Sequence, residues 1–473
     1  MEKSDLHPSR AKLFIFTTLA RYQTEFWVKV ADQLQAKGYG TAFIAFDDES
    51  REILENTDHL TYALGKQEID VEYRLNSEPL DYIESFGVEN IHFWLGHEKS
   101  AFGLFDEKVQ LNKLAACLRL ADEALSQLNS EFESVEMIQE LGGFLSVIGS
   151  YFAARKHKVN NWFVEPAFFR GRLFFLKNTF NAIKISVDST LRPSEETDNY
   201  INDTLSSGAI VIPIKDKHQY SKAFEKIMNT KNIKRFGEKL AKKYFLGRHF
   251  EFGHIRHHLF THMKMLVNSA RLKKLYTDLN ELGDFLYYPL HVPGDMALTL
   301  RSPEYFDQLA LIEYIARNLK SGQILAIKEH PALIGSMNCS RLLQLLKENQ
   351  SIKLLNPEIN NFEVLKSCSA VVSVNSKSGA EGALLGKAVF VLGDSFYKDA
   401  PIVTRVNSLK DLSTQIRCFD PCCTKNLQEN DVIKNYFENV WRQSYPGELY
   451  FLEQNNYDIF VASLLAVVSC QCN

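Results

Sequence analysis

Cysteine is scarce: eight in 473 residues, at 117, 339, 368, 418, 422, 423, 470 and 472, with no C-x-x-C pair. That excludes a disulfide scaffold and points to thiols in a reducing compartment. Long apolar runs are also missing. The longest uncharged apolar stretch, Ile459 to Cys470, has 12 residues, short of the about 20 that a membrane-crossing helix needs, and it reads as a buried or interfacial helix. Met1 to Lys12 carries charges of both signs and no apolar h-region, so no signal peptide is expected and the chain is placed in the cytoplasm. An excess of one charge is lacking too: 54 Lys+Arg against 58 Asp+Glu give −4, which argues against a nucleic-acid partner held by the whole surface. What is present is an ordinary globular composition, 45% hydrophobic and 24% charged, at a length that allows two to four domains of roughly 100–200 residues.

Short apolar runs alternate with amphipathic stretches, the pattern of repeated β-α units around a parallel sheet. The first set starts at Leu13-Phe14-Ile15-Phe16, continues through a helix carrying Trp27, Val30 and Leu34 on one face, and enters a second strand, Thr41 to Phe46. Ile91 to Trp94, Trp162 to Val164 and Ala209 to Ile214 are read as further strands, with helices around 107–129 and 136–156. The second set runs through Phe285 to Tyr288, Ile324 to Lys328, Ile352 to Leu355, Ala370 to Val374 and Val389 to Leu392. The expected class is α/β: two doubly wound αβα domains facing each other across a cleft, at 1–214 and 281–430. A helical connector at 215–280 joins them, and a helical tail at 431–473 packs back on the first.

The connector stands out. Residues 215–274 hold 16 Lys/Arg, 4 Asp/Glu and six histidines, a net +12 inside a chain of −4, which leaves −16 elsewhere. Such a stretch fits an anionic membrane surface or a phosphorylated substrate, or a solvated connector. His254, His258 and His262 are spaced to share a helix face, and Cys418, Cys422 and Cys423 cluster, but neither set has the partners a metal site needs, so no metal is expected.

Ligands in doubly wound sheets bind beyond the carboxyl ends of the strands, so chemistry is sought just after them. Strand Ile324 to Lys328 runs into Glu329-His330-Pro331, where proline stops the strand and holds Lys328 and His330 at its mouth. His330 is suited to bind a phosphate or act as general acid toward a leaving oxygen; a histidine capping a backbone carbonyl fits equally. The segment Val371 to Val391 reads as strand, hydroxyl-rich turn, short helix, Gly386 stop and strand. It places Ser376, Ser378, Gly379 and backbone N–H groups at a helix N-terminus that favours phosphate, with Glu381 in the first turn as cap or ribose ligand. His291 follows Tyr287-Tyr288-Pro289-Leu290 in a proline-punctuated loop. In the first domain, Trp162 to Arg172 ends a strand in Glu165-Pro166, with Arg170 and Arg172 just beyond. This is a carboxylate placed like a catalytic group beside two candidate anion ligands, or else an ion pair.

Taken in order, Tyr287 to His291, Phe306-Asp307-Gln308-Leu309, Lys328-Glu329-His330-Pro331, the Ser/Gly/Glu turn and Gly386-Lys387-Ala388-Val389 through Gly393 to Phe396-Tyr397 resemble the bacterial capsule polysaccharide biosynthesis family, which includes Kdo transferases. Ala388 stands where the family usually has proline, and Pro166, Arg170 and Arg172 where small residues are common. The resemblance implies a GT-B glycosyltransferase with no cofactor beyond a nucleotide-sugar donor, CMP-Kdo in the characterised branch. The acceptor would be a capsule or lipopolysaccharide glycan or a lipid-linked acceptor, with the chain touching the inner membrane face through 215–274. It also implies that His291, Lys328, Glu329, His330, Ser376, Ser378, Gly379 and Glu381 hold the donor while Glu165 and His330 carry catalysis. An epimerase or hydrolase on the same scaffold, or a non-catalytic glycan-assembly protein, are the alternatives.

Overall fold

Strands apolar on both faces need cover on both sides, which a parallel sheet flanked by helices supplies. The computed structural model describes residues 12–65, 79–208, 237, 238, 240–420 and 431–470. Among these, two seven-stranded sheets form. The first contains β1 (Lys12–Thr18), β2 (Gly40–Ala45), β3 (Leu60–Ala63), β4 (Ser134–Glu140), β5 (Asn160–Pro166) and β6 (Arg172–Lys177). The second contains β7 (Tyr276–Thr277), β8 (Phe285–Pro289), β9 (Ile324–Lys328), β10 (Ile352–Leu355), β11 (Ala370–Ser373), β12 (Ala388–Val391) and β13 (Val403–Arg405), and the last strand, β14 (Tyr445–Pro446), returns to the first sheet. The orders are β14-β6-β5-β4-β1-β2-β3 and β13-β12-β11-β8-β9-β10-β7. All pairs are parallel except β5–β6 and β6–β14. This is the pair of doubly wound domains that the alternation predicts, in the GT-B-like class that the resemblance implies.

In the second sheet the chain moves outward from β8 through β9 to β10, then returns to the other side of β8 with β11. The crevice beyond the carboxyl ends of β8 and β11 is therefore its topological switch point, where adjacent loops diverge and leave room for a ligand.

Two readings of the first domain change. Ile91 to Trp94 is not a strand but the first turn of helix Ile91–Phe102, which buries Leu95, His97, Glu98 and Phe102; a four-residue apolar run looks alike at either period. The stretch from 136 is not helical until helix Leu145–Lys156, because Ser134–Glu140 is a central strand. Its polar residues hid it. Glu136 accepts from the Trp162 indole (2.7 Å), while Gln139 receives the Thr17 hydroxyl (3.2 Å) and also donates to Asn161, so their burial is compensated. The proposed strand at 209–214, residues 215–236 and 239 of the basic stretch, and Cys422 and Cys423 lie outside the described residues.

The segment beyond 431 holds the two domains in register. Helix Gln454–Cys470 lies on helix Arg21–Ala36, with Phe460 edge-on to Phe26 and Trp27 (5.4 and 5.5 Å). Helix Asp431–Arg442 sends the Tyr436 hydroxyl to the Phe396 carbonyl of the second domain (2.5 Å). Among the described residues no helix is long and apolar enough to cross a membrane.

Candidate functional site

At the switch point of the second sheet a cavity of about 110 Å³ is lined by Tyr287, Pro289 and Leu290 after β8, Lys328, Glu329, His330 and Pro331 after β9, Asn361, and Ser376, Lys377, Ser378 and Glu381 after β11. Four separate βα turns thus converge, after β8, β9, β10 and β11, and most of the residues expected to hold the donor meet there.

The turn after β11 is built by hydroxyl chemistry. Ser376 caps helix Lys377–Leu384 by accepting from the Ser378 N–H (3.3 Å), and its own N–H donates to Ser373 Oγ (3.0 Å). Tyr397, fully buried, donates to the Ser376 carbonyl (2.7 Å) and so pins the turn from beneath. Gly379 is required by that contact, since a Cβ there would lie 2.6 Å from the Tyr397 ring. First-turn N–H groups of this helix face the cavity end, which gives it the partial positive charge of a helix N-terminus.

Asn361 was missed by sequence reasoning. Its amide donates to Ser378 Oγ (3.0 Å) and Glu381 Oε2 (2.6 Å), and its oxygen accepts from the Tyr287 hydroxyl (2.9 Å). Its position after β10, the strand next to β9, was the available signal. Glu381 is buried; desolvation pushes its carboxyl up, with the Asn361 bond working against that. It lines the cavity wall, tied to Asn361.

Lys328 ends β9 and donates to the Ile359 carbonyl (3.0 Å); burial pushes its pKa down to about 8, so it still carries charge at neutral pH. His330 caps the turn Pro331–Leu333, its Nδ1 accepting from the Ala332 N–H (3.3 Å). That bond places the proton of the neutral ring on Nε2, which makes Nε2 a donor. Burial lowers the His330 pKa, with Asp295 opposing. His291 is buried in the adjoining loop, its backbone locked to Gln308 in both directions (2.7 and 3.1 Å), and burial drives its pKa down to about 4. It is neutral, does not line the cavity, and its Nε2 has no protein hydrogen-bond partner.

Glu329 faces away toward Gly335, whose N–H it accepts at 3.2 Å, and burial raises its carboxyl to about 7. The folded chain holds this proton to a higher pH than the unfolded chain, whose ordinary value is 4.5. The contribution to stability is complete below that value and is lost as pH rises toward 7. Glu329→Gln, neutral throughout, should match the parent at pH 4 and exceed its stability at pH 8 by at most ~3 kcal/mol. Urea denaturation across that range measures the difference, and parallel curves would refute a buried, proton-holding carboxyl.

The first-domain residues are placed differently. Glu165, at the end of β5, is gripped by Arg301 of the second domain through both oxygens (3.1 and 2.9 Å), and Arg301 also donates to the Phe180 carbonyl (2.8 Å). The carboxylate, 20% exposed, is here a bridge between domains rather than the free group expected. The ion-pair alternative holds, with Arg301 in place of Arg170 or Arg172. Arg301 adjoins Ser302, whose Oγ accepts from the Asn375 amide (3.2 Å) just before Ser376, so the bridge reaches the donor turn. Arg172 is no anion ligand: its guanidinium stacks on Trp441 (4.2 Å) and bonds to Ser444 Oγ (2.7 Å). Arg170 is exposed beside Tyr200, whose hydroxyl accepts its N–H (2.8 Å). His97 crosses to the second domain by its bond with Thr299 Oγ1 (2.8 Å). His254 stacks on Phe102 (4.5 Å), and among the described residues no group of three His, Cys, Asp or Glu is arranged to hold a metal.

Residues 149–427 match the family model described as "Capsule polysaccharide biosynthesis protein". Protein FixF of Sinorhizobium fredii is 30% identical over 152 residues, 32% of this chain and 36% of FixF, so the match spans about a third of that relative. A KpsC β-Kdo 2,7 transferase from Thermosulfurimonas dismutans overlays 73% of this chain and 89% of its own, at 14% identity and TM-score 0.34. A UDP-GlcNAc 2-epimerase from Methanocaldococcus jannaschii overlays 91% and 99%, at 12% identity and TM-score 0.26.

Proposed function

The chain belongs to the capsule polysaccharide biosynthesis protein family, and we propose that it transfers a sugar from a nucleotide donor to a growing surface glycan. The observation that supports this reading is the convergence of Lys328, His330, Ser376 and Ser378 on one cavity at the N-terminus of helix Lys377–Leu384. Burial raises the carboxyls of Glu329 and Glu381, and Lys328, Lys377 and the helix N-terminus bring positive charge to the site. That sign suits a nucleotide phosphate. As the bond from the sugar to the phosphate oxygen breaks, negative charge grows on that oxygen, and preorganised donors there lower the barrier without rearranging. His330 Nε2–H is the donor aimed at this task, and Lys328 supplies fixed charge behind it. The acceptor hydroxyl attacks the sugar carbon as that bond breaks, and its proton passes to solvent water.

CMP-Kdo is the donor proposed, from the family's Kdo-transferring branch, and the acceptor is a capsule or lipopolysaccharide glycan. The basic stretch 215–274 is assigned to the anionic inner membrane face on its charge. Calorimetric titration with CMP, UDP and GDP tests the donor reading first. One nucleotide should bind, and Ser376→Ala/Ser378→Ala should weaken it about tenfold or more, a change of about 1.4 kcal/mol. Binding to none of the three refutes a nucleotide-sugar enzyme and favours a non-catalytic assembly role. Product formed from a nucleotide sugar without any acceptor identifies an epimerase or hydrolase.

A further inference from the structure

Glu329 sits between Lys328 and His330, and its side chain turns to Gly335, whose N–H both of its oxygens accept (3.2 Å each). The other side of Gly335 is held as well. Its carbonyl accepts from the amide of Asn268 (2.9 Å), a residue of helix Ile255–Leu272 that is only 5% exposed. Both backbone groups of this one buried residue are therefore taken by side chains from different elements. Gly335 also lies directly on the helix. Its φ is +79°, and a Cβ there would come within 2.5 Å of the Met265 carbonyl oxygen and 3.0 Å of the Ser269 nitrogen. Only glycine permits that approach.

From Gly335 back to His330 the chain is short and bonded to itself. The Leu333 N–H donates to the His330 carbonyl (3.1 Å), the Ser336 N–H to the Leu333 carbonyl (3.3 Å), and the Ala332 N–H to His330 Nδ1 (3.3 Å). The two turns share Leu333, so a shift at Gly335 carries through to the imidazole. Helix Ile255–Leu272 is itself fixed at both ends. Glu251, just before it, accepts from Lys113 and from the Ser146 hydroxyl of the first domain (2.9 Å each), and Leu272 is buried in the core of the second. The helix is thus a strut between the first domain and the loop after β9. Asparagine is a weak helix former, and a buried one is retained for what its amide holds.

We propose that Asn268 is a positioning residue for His330: by holding the Gly335 carbonyl from the connector helix, it sets where the imidazole stands at the donor cavity. Asn268 does not line that cavity and acts only through the ring. The use of the ring in sugar transfer rests on the transferase reading above; the clamp and its hold on the ring do not. Without the amide, the buried Gly335 carbonyl is left unpaired, and the loop relaxes by turning it toward water. His330 then shifts in its seat among Asp295, Lys328 and His291, the titratable groups that face it. Nδ1 loses its fixed partner, and with it the single tautomer that keeps a proton on Nε2.

Nitrogen-15 NMR of the full chain labelled at histidine tests this, with His330 assigned from the signals lost in His330→Asn. The parent ring should show the Nε2–H tautomer and titrate below the ordinary histidine value. Asn268→Leu fills the site and Asn268→Ala empties it. Each should give a mixture of tautomers and raise the midpoint by about half a pH unit or more. An unchanged tautomer and midpoint in either variant that keeps a cooperative thermal transition overturns the proposal. CMP, UDP and GDP are titrated calorimetrically into the same proteins. The nucleotide that binds should lose about threefold or more in affinity in Asn268→Leu, and nothing further when that change is made in His330→Ala, where no ring is left to position. An equal loss in both backgrounds overturns the proposal. A shifted ring with no nucleotide bound removes the donor reading and leaves the positioning role standing; nucleotide binding with an unmoved ring does the reverse.

Discussion

Replacing His330 with alanine lowers sugar transfer by about two to four orders of magnitude, the range in which a positioned acid or base contributes, while the chain stays folded. The structural cost is small. His330 Nδ1 accepts one backbone N–H at the start of a three-residue turn, and losing such a cap costs about 1 kcal/mol. On the proposed mechanism the catalytic loss is larger, because Nε2–H, the donor left by the Nδ1 bond to Ala332, would serve the leaving phosphate oxygen. Because burial keeps the ring's pKa below its ordinary value, the neutral tautomer carries that proton at physiological pH. Activity should therefore hold on the alkaline side and change as pH falls through the lowered pKa. His330→Asn keeps an acceptor for the turn and loses the Nε2 donor; it should be folded and nearly as slow as His330→Ala. Single-turnover rates with saturating donor measure both, and near-parental rates would remove His330 from the chemistry.

Lys113→Ala should destabilise the first domain by about 3–5 kcal/mol, the cost of leaving buried charge without its partner. Lys113 donates to Glu98 (2.8 Å) and Glu251 (2.9 Å), with side chains 12%, 0% and 1% exposed. Burial works against the lysine's charge, but Glu251 and Glu98 outweigh it and hold its pKa above the ordinary value. Burial raises Glu251, which Lys113 and the Ser146 hydroxyl bring back only in part. Glu98 also receives the Leu145 N–H (2.9 Å) at the start of helix Leu145–Lys156, so the cluster ties four segments of the chain together. Removing the one cation leaves two carboxyls side by side in an apolar setting. The triple change Lys113→Met, Glu98→Gln and Glu251→Gln removes all three charges, and it should recover most of the loss. Urea denaturation of the three proteins checks this, and a loss under 1 kcal/mol in Lys113→Ala would show that water reaches the cluster.

The second sheet was legible almost strand for strand, because its strands are short, apolar on both faces and punctuated by glycine or proline. Ser376, Ser378, Lys328 and His330 were legible as a site for the same reason: each follows a strand directly, and a parallel sheet brings such positions to one edge. Ser134–Glu140 was not legible, since its glutamates and glutamine are buried only because Trp162, Asn161 and Thr17 meet them from other strands. Arg301 as the partner of Glu165, and Trp441 under Arg172, had no signal within reach of either residue, because the partners lie 136 and 269 positions away.

Local order along the chain, then, determined two αβα domains, the cleft between them and the Ser376 turn at a helix N-terminus, because periodicity and strand-end chemistry act over a few residues. Which charges meet was decided by the tertiary structure alone. Charge pairing depends on distances of about 3 Å that arise only when the domains and the returning tail are packed, and that packing gave Glu165 an arginine partner from the other domain. It also laid part of a basic connector against Gly335, in the loop that follows His330.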